Sequence, residues 1–187
     1  MSESKPISGA LLLCLDLQPV FLRAVGNGVR VQRRCAFAIA AAHGLGMPVA
    51  FTEQVPAKLG GTEPALLALA GSAAVHPKDT FSALAAGSGV RAALTETRPI
   101  EHLILCGLET PICVFQTAVD ALQAGLAVTV LTDCVGARRE ADGVACLAAL
   151  ARAGAHVLPS ETVLYSIVGG ATHPFFRAFT ELVKNYG

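Results

Sequence analysis

The chain has 187 residues, a length suited to one domain around a single core. Hydrophobic residues make up 53% and charged residues 15%, which excludes a disordered or coiled-coil chain. Lys and Arg number 14 and Asp and Glu 14, so no basic excess can neutralise a phosphate backbone and no nucleic acid partner is expected. Weak repulsion between copies and abundant apolar surface point to a homo-oligomer.

In chain order, the first apolar run spans residues 10–15 and is closed by Asp16. It is too short for a signal-peptide core or a membrane span, so a cytoplasmic protein without membrane contact is expected. Similar strand-length runs follow at 47–51, 102–106, 127–131 and 155–158, and helical spacing occupies 29–43, 90–97, 112–124 and 140–153. Residues 52–77 carry Pro56, Pro64, Pro77 and the Gly60-Gly61 pair and read as a long loop with a short helix, placed to line a pocket. Gly44, Gly125 and Gly154 follow helical segments and can close them in the left-handed conformation. Strands alternating with helices require a mostly parallel sheet with helices on both faces, a three-layer α/β/α sandwich. No linker or repeat divides residues 1–187.

In such a sheet ligands bind beyond the carboxyl ends of the strands, so polar residues just after strands are the first candidates. Asp16, in LLLCLDLQ, is one, with a capping aspartate as the plain alternative. Cys113, in GLETPICVF, is another. Thr110 suits an N-cap and Pro111 the first helical position, which puts Cys113 in the first turn, where free N–H groups and the helix dipole favour thiolate. The alternative is a buried small hydrophobe, which fits Cys14 and Cys106 better because both lie in apolar runs. Cys35 and Cys146 fall inside helices, and Cys134 follows a strand as a weaker rival. The six cysteines show no CxxC pair and are expected to be reduced. Lys78, in HPKDTF, reads by itself as a solvated side chain. There is no GxSxG elbow, Walker loop or dinucleotide fingerprint, and His43, His76, His102, His156 and His173 are too dispersed for a metal motif.

Three segments, Asp16 in CLDLQ, Lys78 in KDTFSAL and Cys113 in GLETPICVFQTAVDAL, resemble in order and spacing the catalytic segments of the isochorismatase-like cysteine hydrolases. The likeness covers nearly the whole chain, and FTEQVPAKLGGTEPAL, the ARREADGVACLAALARAGA helix and the tail from Ser160 are similar to the isochorismatase-domain-containing subgroup. It implies a six-stranded parallel sheet with an Asp16, Lys78, Cys113 triad at its carboxyl edge. It also implies a cis peptide at Leu108-Glu109 and an oxyanion hole of the Glu109 and Cys113 backbone N–H groups. Thr110 would then bond the Ile112 amide or point elsewhere, leaving the Cys113 amide free.

The activity implied is thioester-forming hydrolysis of a small amide or related C–N bond, in a pocket near Phe21 and Gln54. Nicotinamidase relatives carry Asp-x-His after the second strand; here Thr52-Glu53-Gln54 stands there, so neither metal nor other cofactor is expected. Alternatives are a silent scaffold, a thiol redox protein using Cys106 or Cys134 as resolving thiol, and vinyl ether hydrolysis of the isochorismatase type.

Overall fold

A computed structural model describes residues 9–86, 88–96 and 99–187. Six strands, β1 (Ala10–Leu15), β2 (Val49–Gln54), β3 (Ala74–Lys78), β4 (His102–Leu108), β5 (Ala127–Gly136) and β6 (His156–Leu158), form one sheet in the order β3-β2-β1-β4-β5-β6. Every neighbouring pair is parallel. The chain winds outward from β1 in one direction, then returns to β4 and winds the other way. β1 and β4 therefore flank the switch point, where diverging connections open a crevice at the carboxyl edge.

The central strand shows why both faces must be covered. Leu11, Leu13 and Leu15 enter one core and Leu12 and Cys14 the other, the two-residue period of a strand with no solvated face. On the Leu12 side lie α1 (Pro19–Ala24), α2 (Gly28–Gly44), α4 (Pro64–Leu69) and α8 (Ser160–Val168), through Leu22, Ile39, Leu66 and Val163. On the other side α5 (Gly89–Glu96), α6 (Phe115–Gln123) and α7 (Glu140–Arg152) supply Leu94, Ala118 and Leu150. The last helix, α9 (Phe176–Tyr186), packs on α2, with the Phe37 and Phe179 ring centroids 5.8 Å apart. No helix among the described residues is long and apolar enough to cross a membrane.

The three-layer sandwich is the architecture expected, with local corrections. Residues 52–77 are not mainly loop: β2 continues to Gln54, α3 (Pro56–Leu59) and α4 follow, and β3 begins at Ala74. β5 runs past residue 131 to Gly136 and contains Cys134 rather than preceding it. Helix α2 includes Gly44, and Gly46 takes the left-handed conformation instead (φ 71°); the Phe175 ring fills the space a Gly44 side chain would need. Thr97, the expected end of the 90–97 helix, lies outside the described residues, as does Gly87.

Candidate active site

Register brings the first two candidates together. Leu15 pairs with Thr52 and Gln54 with Lys78, so the carboxyl ends of β1, β2 and β3 place Asp16, Thr52, Gln54 and Lys78 side by side. Asp16 takes a left-handed conformation (φ 51°), which aspartate tolerates better than most residues. Both of its carboxylate oxygens are engaged. Thr52 Oγ1 donates to Oδ1 at 2.7 Å and Lys78 Nζ to Oδ2 at 2.7 Å. The Lys78 and Asp16 side chains are each 1% exposed, so the lysine is not a solvated side chain. Its ammonium also donates to Gln54 Oε1 (2.5 Å) and to the Thr80 and Phe81 carbonyls (3.2 Å each), and stands 3.7 Å from Cys113 Sγ.

Cys113 lies in a π-helical turn, Thr110–Val114, that leads into α6. Such turns add a residue to the helical ladder and reorient the side chains near it. The preceding Leu108-Glu109 peptide is cis. Glu109, not Thr110, is the N-cap: its carbonyl accepts the Ile112 and Val114 amides, both at 3.1 Å. Thr110 Oγ1 points away and donates to the Gly136 carbonyl at 3.0 Å.

The expectation that helix placement favours thiolate is overturned. Burial, and next the Asp16 charge, push the Cys113 thiol up to about 12 against the opposing pull of Lys78 and of the Glu109 backbone. The resting sulfur is a neutral thiol between a carboxylate and an ammonium.

Above it lies a cleft of about 280 Å³ with Cys113 and Glu109 in its wall. Phe21 and Gln54 both line it, together with Phe81, Leu108 and Ile112. Gln18 braces Gln54, accepting its backbone amide at 2.8 Å and donating to its carbonyl at 3.1 Å. The Thr52-Glu53-Gln54 side chains are committed to protein partners: Thr52 to Asp16, Glu53 to the Thr62 amide at 2.7 Å, and Gln54 to Lys78 and the Asp79 carbonyl. Cys14, Cys35, Cys106 and Cys134 share the buried core on the α2 face, with Cys106 Sγ 3.5 Å from Cys14 Sγ. None of those four lines the cleft.

Sequence reasoning missed Thr52, Gln18 and Arg138. Arg138 Nε meets Glu109 Oε1 at 2.5 Å at the cleft wall. The rule that polar residues after strands are suspects would have found Arg138 had β5 not been ended at residue 131.

Residues 10–162 match the isochorismatase domain. Isochorismatase domain-containing protein 2 of Bos taurus is 36% identical over 181 residues, covering 96% of this chain and 84% of that protein. Among solved structures, MAR1 ribonuclease from Caenorhabditis elegans is similar with a TM-score of 0.88 and 30% identity over 96% of this chain and 92% of the other. The YcaC gene product of Escherichia coli, an octameric hydrolase of unknown specificity, shares the fold with a TM-score of 0.75 and 19% identity over 100% and 97%.

Proposed function

This chain belongs to the isochorismatase domain family and has its hydrolase fold, and from the cleft geometry we propose that it hydrolyses a small amide or related C–N bond through a Cys113 thioester. The observation that carries this reading is the buried Lys78 ammonium, 2.7 Å from Asp16 and 3.7 Å from Cys113, which lines a mainly apolar cleft.

Because the resting thiol is neutral, attack and deprotonation belong to one step. Asp16 takes the thiol proton as sulfur bonds to the substrate carbonyl carbon, and Lys78 offsets the negative charge moving between them. The carbonyl oxygen, now an oxyanion, accepts the Glu109 and Cys113 backbone N–H groups. Collapse breaks the C–N bond, and Asp16 returns the proton to the leaving nitrogen, which departs as ammonia or an amine. Asp16 then deprotonates a water that attacks the thioester, releasing the acid and regenerating the thiol. Phe21 and Gln54 shape the pocket, and no resident metal is called on.

The fully engaged triad favours turnover over a silent scaffold, since a buried ion pair behind the cleft sulfur contributes little net stability that apolar packing could not match. The thiol redox reading lacks a resolving cysteine in the cleft. RNA cleavage, suggested by the name of the Caenorhabditis elegans protein, finds little support in a chain whose charges balance at 14 against 14. Self-association, as in octameric YcaC, suits a chain that exposes Val29 and Val144.

The test is a panel of small amides scored for ammonia release, with Cys113→Ala beside the wild type and mass spectrometry for an acyl adduct on Cys113. Release that persists in Cys113→Ala refutes the mechanism.

A further inference from the structure

We infer that the cleft selects uncharged, compact, chiefly apolar amides, and that Glu109 sets this preference by neutralising Arg138. The inference rests on the reading of the cleft as the substrate site and adds the class of molecule it admits. At the packing density of protein interiors, about 280 Å³ holds on the order of ten non-hydrogen atoms. Most of the wall is hydrocarbon: Phe21, Phe81, Leu108 and Ile112 contribute no charge.

The charged groups in and behind the cleft come in two matched pairs. Behind Cys113, and outside the cleft lining, Lys78 cancels Asp16. On the wall, Arg138 would be the anchor for a substrate carboxylate, because its side chain is 60% exposed and guanidinium suits carboxylate geometry. Its Nε, however, is 2.5 Å from Glu109 Oε1, and the Glu109 side chain is only 8% exposed. A second carboxylate docking on the remaining guanidinium edge would gain attraction from Arg138 and meet repulsion from the shielded Glu109 charge close behind it. It would also lose its hydration to an apolar wall, a penalty that a net-neutral pair does not offset. An uncharged amide meets no such penalty. Arg138 thus acts as a positioning residue: it holds Glu109, whose backbone N–H faces the sulfur.

The experiment compares alkylation of Cys113 by iodoacetamide and by iodoacetate, reagents of nearly the same shape and chemistry that differ in charge. The ratio of their rates at Cys113, resolved by peptide mapping, is divided by the same ratio on free N-acetylcysteine. In the wild type this normalised preference for the amide should be about tenfold or more. Glu109→Gln leaves the guanidinium unpaired and should bring the preference down to that of the free thiol or reverse it. Arg138→Gln leaves the carboxylate unpaired and should raise it. A merely structural role for the pair would move both variants the same way, and if Glu109→Gln does not fold, Arg138→Gln carries the test.

With incubations long enough for a neutral thiol to react, a wild-type ratio equal to that of N-acetylcysteine, or a preference that does not rise in Arg138→Gln, overturns the inference. Alkylation needs no turnover. An intact ratio with no ammonia release from any amide would therefore count against the hydrolase reading and leave the charge selectivity standing.

Discussion

Replacing Lys78 with methionine separates a functional buried lysine from an incidental one. The substitution keeps most of the aliphatic stem and removes an ammonium that meets Asp16 Oδ2 at 2.7 Å and also serves Gln54 Oε1 and the Thr80 and Phe81 carbonyls. Asp16, fully buried, retains the Thr52 hydroxyl as a side-chain donor and loses its countercharge. Stripping one partner from a buried pair costs roughly 3 to 5 kcal/mol, the scale of two charges about 4 Å apart at an effective dielectric of about 20. A solvated lysine would cost less than about 0.5 kcal/mol. Urea unfolding at neutral pH reads the difference directly, provided the slope against denaturant is unchanged. Adding Asp16→Asn should restore part of the loss, because the orphaned charge goes too, giving a coupling of roughly 1 to 3 kcal/mol in the double-mutant cycle. Ammonia release should be lost in both single variants and in the double. A Lys78→Met protein as stable as the wild type and turning over normally would refute the assignment of the pair.

Thiol ionisation, followed by ultraviolet thiolate absorbance in the wild type against Cys113→Ala, should place the Cys113 step near pH 12. Asp16→Asn should move it down, since the Asp16 charge acts with burial to raise it. The raised value has a stability consequence: above pH 9.0 the unfolded thiol ionises while the folded one stays protonated, so that contribution is lost as pH climbs toward 12. The wild type should therefore lose more stability than Cys113→Ala over that window in urea titrations. Gly107→Ala should give insoluble or grossly destabilised protein, because Gly107 has φ 120° and a Cβ there would overlap the Leu15 backbone one residue before Asp16; native-like solubility and melting would contradict this. Turnover, once a substrate is found, should survive a strong chelator, and loss of activity restored by added metal would show the Thr52-Glu53-Gln54 reading to be wrong.

What could be read along the chain was whatever one strand or one helix decides locally. The run 10–15 is apolar at every position because it is central and buried on both faces, and Asp16 stands out for breaking it. β3 was illegible for the opposite reason: it is an edge strand with an exposed Val75 and a proline at 77, a position such a strand tolerates and a central one does not. Lys78 inherits that obscurity. Its burial comes from β3 lying against β2, which fixes its ammonium between Asp16 and Gln54, and a surface lysine has the same local sequence. Resemblance to a family supplied what local chemistry could not.

Cys113 shows the limit from the other side. The helix-start argument located the residue and misjudged its ionisation, because dipole and free amides are local while burial and Asp16 arrive from other elements and outweigh them. The sign matters for mechanism. In the proposed mechanism a thiol held neutral at rest reacts slowly with alkylating agents and oxidants, and attacks fastest when a carbonyl carbon is close enough for bond formation to accompany proton transfer to Asp16. A cleft whose charged lining residues, Arg138 and Glu109, are paired with each other fits that design, since an uncharged amide reaches the sulfur without disturbing the buried Asp16–Lys78 pair on which the proposed proton transfer depends.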